Sequence, residues 1–272
     1  MARRLDPERL SGLRCLGIDE FSYRKRHRYL TVVVDHDRRR VVWAGEGRNA
    51  EALARFFKLL GPEGCRAIET VTIDLSAAYL KAVREALPHA EIVFDRFHVQ
   101  RLASDTLDEV RRSLVRELAP DPEAARAVKR TRFVLLKNPW NLTRSQRLKL
   151  SEVQLSNQRL YRAYLLKETL AQALDYRQPW RARRALGDWL AWASRSRLQP
   201  FVRAARTIRN HLTGIVAYVR TRLTNGLTEG LNGKIRVITR RAYGFHSPQA
   251  LTAMIFLNCG GIQLDPPLPT RN

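Results

Sequence analysis

Three acidic side chains carry the chemistry this sequence can do. Asp19 closes the run Leu13-Arg-Cys-Leu-Gly-Ile-Asp19, and Asp74 closes Ile68-Glu-Thr-Val-Thr-Ile-Asp74. Both runs read as short β-strands, and neighbouring strands of one sheet would bring the two acids together. Ionised carboxylates held side by side are costly unless a cation neutralises them. Hard oxygen ligands without Cys or His select magnesium or manganese over zinc. Two such ions, held about 4 Å apart, activate an attacking oxygen and stabilise a leaving one in phosphodiester chemistry. The third acid is Glu229, alone among the acidic residues between Asp188 and Asp265. It lies in Asn225-Gly-Leu-Thr-Glu-Gly-Leu-Asn-Gly-Lys-Ile-Arg236, where Asn225, Glu229, Asn232 and Arg236 recur at i, i+4, i+7 and i+11. On a helix this spacing makes one polar face. In isolation it reads as a solvated face; beside Asp19 and Asp74 it reads as the third arm of a metal site.

Other polar residues have competing readings. Asp95 follows a third strand-like run and either helps to hold metal or caps the next helix; His98 is a structural partner of a carboxylate or backbone group, or a proton shuttle. Glu20 alternates with Asp19 along an extended strand and should face away from it. Asp35 and Asp37 sit in a polar connection of hairpin length and read as turn residues. Trp180, Trp189 and Trp192 recur at helical spacing, which favours core packing over stacking on a base. The cysteines, Cys15, Cys65 and Cys259, lack any Cys-x-x-Cys or Cys/His pairing and read as small buried hydrophobes rather than zinc ligands.

The elements that must position these residues follow from the pattern. Tyr29 to Val34 and Arg40 to Ala44 are β-rich and make, with the first strand, an antiparallel meander. The segment from Phe21 to Arg28 is either a charged turn or a continuation of the first strand. Asn49 offers an N-cap for a helix whose apolar residues Leu53, Phe56, Phe57 and Leu60 share a face, and Gly61-Pro62 is its expected stop. The strand ending at Asp74, a helix from Ser76 to Leu87, and a strand from Glu91 to Asp95 follow. Strand–helix–strand connections imply parallel pairing, so the sheet should be mixed. From Val99 to Thr224 only helical pattern is present, with helices expected over Gln100–Leu118, Pro122–Leu136, Leu148–Leu174, Trp180–Ser194 and Gln199–Arg222 and a capping box at Thr143-Arg-Ser-Gln146. A last helix should start at Ser247-Pro248 and end at Asn258. The expected division is a first core part over 13–98, a helical insertion over 99–224, closing core helices over 225–262 and a tail over 263–272.

Charge indicates the partner. Lys and Arg number 49 against 26 Asp and Glu, giving a formal net charge of +23. Residues 99–224 carry 26 basic and 10 acidic side chains, whereas residues 1–98 carry 18 and 14. Arg177, Arg181, Arg183 and Arg184, and then Arg203, Arg206 and Arg209, could line a phosphate-tracking surface. No apolar run approaches the roughly 20 residues of a membrane-spanning helix, and the start lacks an apolar leader. A cytoplasmic protein that faces nucleic acid is the expectation.

Taken together, Gly17-Ile-Asp19-Glu20, Ile73-Asp74 with Ser76 and Tyr79, Asp95-Arg-Phe-His98 and Asn225 to Arg236 resemble the DDE transposases, and within them the insertion-sequence transposases of the ISL-three type. The likeness runs from about Leu13 to Ile262. It implies an α/β fold: an RNase H-like mixed five-stranded sheet flanked by helices, with a large all-helical insertion before the last catalytic helix. It further implies metal-dependent cutting of DNA at a transposon end by water, then attack of the freed 3'-hydroxyl on target DNA. Asp19 would bridge two Mg2+ or Mn2+ ions, Asp74 would complete one site and Glu229 the other. Asn225 and Asn232 would orient Glu229 or touch the sugar-phosphate backbone. Lys234, Arg236, Arg240, Arg241, Arg181, Arg184 and Arg206 would also contact double-stranded DNA, and Asp95 and His98 would stand behind the ligands. A homodimer in the DNA complex is the expected assembly. Two other functions fit the same residues, a non-catalytic DNA-binding remnant and a structure-selective RNase H-like nuclease.

Overall fold

A computed structural model describes residues 7–24 and 28–262; the expected tail over 263–272 lies outside them. In chain order the elements are β1 (Cys15–Arg24), β2 (Arg28–Asp35), β3 (Arg40–Glu46), α1 (Ala50–Ala67), β4 (Thr70–Ile73), α2 (Ala77–Ala86), β5 (Glu91–Phe94), α3 (Arg96–Glu117), α4 (Pro122–Lys129), α5 (Arg132–Leu136), α6 (Arg144–Ser156), α7 (Gln158–Ala173), α8 (Pro179–Arg195), α9 (Gln199–Asn210), α10 (Leu212–Thr221), α11 (Gly226–Arg241) and α12 (Pro248–Cys259). They fall into two compact units, one from residues 1–93 with 223–272 and the other from residues 94–222.

The first unit is built on the sheet, whose strand order is β3-β2-β1-β4-β5. β1 pairs antiparallel with β2, Asp19 opposite Val32, and parallel with β4, Cys15 opposite Thr70 through Gly17 opposite Thr72. The β2–β3 turn is closed by Asp35, whose Oδ1 accepts from the N–H groups of Asp37 and Arg38 at 2.9 and 3.2 Å. One sheet face buries Phe21, Leu30, Val32, Val34 and Val41 against Leu231 and Ile235 of α11 and Leu251, Ile255 and Phe256 of α12. On the other, Trp43 meets Phe56 of α1, ring centroids 5.8 Å apart, and α2 packs on α1 and β4. A mixed five-stranded sheet with helices on both faces is the α/β arrangement expected of an RNase H-like fold.

Of the two readings of the segment after Asp19, continuation of the strand holds: β1 runs to Arg24, because antiparallel pairing continues through Glu20 opposite Thr31 and Phe21 opposite Leu30. The parallel ladder to β4 ends at Gly17, so Asp19 stands mid-strand yet past the last rung shared with β4. Gly61-Pro62 kinks α1 instead of ending it. Gly61 takes φ +76°, and the helix resumes and runs to Ala67. Proline is tolerated there because the first residues after a break have no intrahelical acceptor for an N–H.

All described elements from Arg96 to Thr221 are helical. The helix expected over 148–174 is split at Asn157, whose side chain accepts from Leu160 N at 2.9 Å and so caps α7. The helix expected over 199–222 is split at His211, and that over 122–136 at Arg130-Thr131. The capping box at Thr143 and Gln146 forms. The three tryptophans separate: Trp189 is buried with its indole N–H donating to Leu166 O at 2.8 Å, Trp192 is half-buried, and Trp180 is 62% exposed with the Arg181 guanidinium 5.2 Å from its ring. Cys259 is buried, whereas Cys15 and Cys65 are half-buried. Among the described residues no helix is long and apolar enough to cross a membrane.

Candidate active site

Asp19 is the buried centre of the site, 9% exposed and flanked on β1 by the buried Leu16, Ile18 and Phe21. Its Oδ1 accepts from Glu20 N at 2.8 Å, and its Oδ2 accepts from the Asn232 side-chain amide at 2.8 Å. The donor comes from α11, the helix that also carries Glu229, so one hydrogen bond ties the first acidic element to the last. The close approach is possible because residue 17 is glycine. A Cβ there would lie 2.7 Å from Thr228 Oγ1 of α11 and 2.8 Å from His36 Nε2, nearer than real side chains come.

Asp74 follows β4 and is half-buried; its Oδ1 accepts from Ser76 N at 2.9 Å, which sets the turn into α2. Ser76 occupies the cap position, but its own side chain makes no capping bond. Tyr79, one turn into α2, is buried, and its hydroxyl lies 2.8 Å from Thr31 Oγ1. Thr31 gives its proton to Gly47 O at 2.7 Å, so the phenol donates. Burial pushes the Tyr79 phenol far above its ordinary value; the Thr31 contact opposes this, and the negative charges of Glu20, Asp74 and Asp19 add to it. Tyr79 therefore stays neutral beside three carboxylates.

α11 does not present the single polar face expected of it. Asn225, Thr228, Leu231, Asn232 and Ile235 are buried, while Glu229, Lys234, Arg236, Arg240 and Arg241 are exposed. At about 100° per residue, the apolar Leu231 and Ile235 set the inward direction. The Asn225–Arg236 stripe then straddles its edge, with the amides inside and Glu229 outside. Asn225 is fully buried at the helix start and makes no cap bond. It accepts from Thr72 Oγ1 at 2.5 Å and donates to Ile18 O at 3.5 Å. Asn232 holds Asp19 rather than Glu229. Both amides are thus engaged within the first unit. The signal missed in the sequence was Thr72, which reads as an ordinary strand residue.

The donor set of the first unit suits a hard divalent cation: three carboxylates and an amide, without sulfur. The orphaned atoms point the same way, since Asn232 Oδ1 and Thr228 Oγ1, one turn apart on the inward face, are buried without a hydrogen-bond partner among the described residues. A cation or the water it carries would satisfy them. Asp19, Asp74 and Glu229 do not themselves form a group whose oxygens all lie within 4.8 Å, among the described residues. In the helical unit Asp95 occupies the cap position of α3 without a capping bond from its side chain, and His98 lies in the first turn of that helix. Arg181, Arg184 and Arg206 are exposed.

Comparison with known proteins agrees with this geometry. A transposase of the insertion sequence element IS1557 from Mycobacterium tuberculosis is 40% identical over 286 residues, covering 97% of this chain and 64% of that protein. One for the element IS1001 from Bordetella parapertussis is 38% identical over 240 residues, covering 88% of this chain and 59% of that protein. The chain thus spans about three fifths of the length of these relatives. The model of the ISL3-type DDE family, described as transposase, matches residues 16–255, a span that takes in Asp19, Asp74 and Glu229 together, and the chain belongs to that family.

Proposed function

We propose that this chain is the catalytic core of a transposase and performs metal-dependent DNA strand cleavage and strand transfer at transposon ends. The observation that carries the reading is the buried Asp19 carboxylate, held at 2.8 Å by an amide from the helix bearing Glu229. In this reading Asp19, Asp74 and Glu229 hold two Mg2+ or Mn2+ ions. When bound, the ions lower the pKa of the attacking water or 3'-hydroxyl and neutralise charge on the leaving oxygen. The chain's own residues do the positioning. Glu20 N and Asn232 fix both oxygens of Asp19, and Ser76 N fixes one oxygen of Asp74. Because water and a DNA hydroxyl are the nucleophiles, no side chain forms a covalent link to DNA.

The same reading gives core roles to residues 13–98 and 225–262 and the DNA-holding role to the helical insertion over 99–224. Lys234, Arg236, Arg240 and Arg241 would hold the strand that is cut; Arg181, Arg184 and Arg206 would track phosphates. Asp95 and His98 would stand behind the ligands. The setting is the cytoplasm, the partner is double-stranded DNA, and two chains would act on two ends. Replacing Asp19, Asp74 or Glu229 singly by Ala should abolish Mg2+-dependent cleavage of end-containing DNA while leaving DNA affinity in place. Cleavage retained in all three variants would overturn the proposal.

A further inference from the structure

A buried chain of hydrogen bonds lies beneath the three carboxylates. It begins at His36, at the end of β2, whose Nε2 is 2.8 Å from Thr72 Oγ1 on β4. Thr72 Oγ1 is 2.5 Å from Asn225 Oδ1 at the start of α11, and Asn225 Nδ2 is 3.5 Å from Ile18 O on β1. Its direction follows from its ends. The Ile18 carbonyl only accepts, so the Asn225 amide faces it with nitrogen and turns oxygen to Thr72. The Thr72 proton then goes to Asn225, and His36 must donate through Nε2. Burial holds the His36 imidazole below its ordinary pKa, against the opposing charges of Asp37 and Asp35, which favours the neutral ring with its one proton on Nε2.

Beyond His36, each member adjoins one of the three carboxylates. Ile18 precedes Asp19, Thr72 is two residues before Asp74, and Asn225 O accepts from Glu229 N at 2.7 Å, one helical turn away. Thr72 and Asn225 are fully buried, so no member of that pair can exchange its partner for water. We propose that the His36–Thr72–Asn225 chain is the positioning device of the site: it fixes β1, β4 and the start of α11 against one another, and with them Asp19, Asp74 and Glu229. The three residues touch neither DNA nor ion and act through the carboxylates. This rests on the metal-dependent cleavage proposed above.

The test is a pair of near-isosteric variants of the whole chain, Thr72→Val and Thr72→Ser. Valine keeps the volume and removes the hydroxyl, leaving His36 Nε2 and Asn225 Oδ1 without partners; serine restores the bond. The readouts are Mn2+ affinity by electron paramagnetic resonance without DNA, and cleavage rate at saturating DNA. Thr72→Val should weaken Mn2+ binding and slow cleavage by about 10- to 100-fold, the range found for groups that orient metal ligands. Thr72→Ser should stay within about threefold of the parent, far less than that loss. DNA affinity should be unchanged in both. A Thr72→Val protein with parental Mn2+ affinity and rate overturns the proposal, and so does equal loss in valine and serine, which would mean packing alone. If Thr72→Val does not fold, His36→Leu against His36→Gln makes the same comparison at a half-buried position, because glutamine keeps an N–H donor. Asp19→Ala separates the two ideas. Parental Mn2+ binding in Asp19→Ala sinks the metal reading itself, whereas its loss there with none in Thr72→Val sinks the positioning chain alone.

Discussion

Beside Asp19 the constraint is a hydrogen atom: the one that Gly17 carries where any other residue carries Cβ. A Gly17→Ala Cβ would meet Thr228 Oγ1 and His36 Nε2 at 2.7 and 2.8 Å, and both belong to buried or half-buried groups that cannot simply swing into solvent. Either α11 lifts from β1 or the His36 ring turns away from Thr72. Overpacking of this kind costs about 1–3 kcal/mol, so Gly17→Ala should lower the urea midpoint accordingly and reduce cleavage. Adding Thr228→Ala removes one clash, and a double-mutant cycle should show coupling of at least about 0.5 kcal/mol; strict additivity would mean that α11 does not press on Gly17. The sequence shows Gly17 beside Asp19, but not why glycine is needed there. That reason lies more than 200 residues away in Thr228, and no local pattern reports it.

At the scale of elements, strands and helix types were legible because hydrophobic period and caps are local. The β-branched run of β2, the cap at Asn49 and the box at Thr143 and Gln146 all formed where their residue types placed them. Breaks were less legible. Asn157 and His211 interrupt helices without proline or glycine, by cap geometry that an uninterrupted apolar period conceals. The orientation of α11 was the largest miss, since buried amides look like surface amides until Thr72, Ile18 and Asp19 are seen to receive them. His36 makes this packing sensitive to pH. Its folded pKa is depressed by burial, whereas in the unfolded chain it sits near the ordinary value of about 6.5. Above that value both states are neutral and its contribution is complete. As pH falls through it toward the folded value, the unfolded chain binds a proton that the folded chain does not, and stability is lost. Urea midpoints measured from pH 7.5 to 5 should therefore fall, and His36→Gln should flatten the decline. An identical slope in both proteins would show that His36 is not protected from protonation.

At the scale of the whole molecule, the excess charge is concentrated in residues 99–224, with 26 basic against 10 acidic side chains, while the metal-binding candidates of the first unit lie in a more balanced background. Such separation lets affinity and chemistry be altered independently. Some arginines of the helical unit are already paired with a carboxylate. Arg203 is held by Glu109 at 2.5 Å, Arg159 by Glu117 at 2.6 Å and Arg96 by Asp175 at 2.5 Å. Counterion release distinguishes the two classes, because only a side chain that neutralises a phosphate displaces a condensed cation. The slope of log K against log salt should therefore shrink by about one for each of Arg181→Ala, Arg184→Ala and Arg206→Ala, and by about three for the triple variant. Arg203→Ala should leave the slope nearly unchanged, since it removes a cation already matched within the protein. Asp19→Ala should bind with the full slope and not cut. Titrations of labelled duplex between low and physiological salt measure all six variants beside the parent in one assay. If Arg203→Ala lowers the slope as much as Arg206→Ala, the ion pair with Glu109 does not survive on DNA, and the phosphate-tracking surface extends along α9.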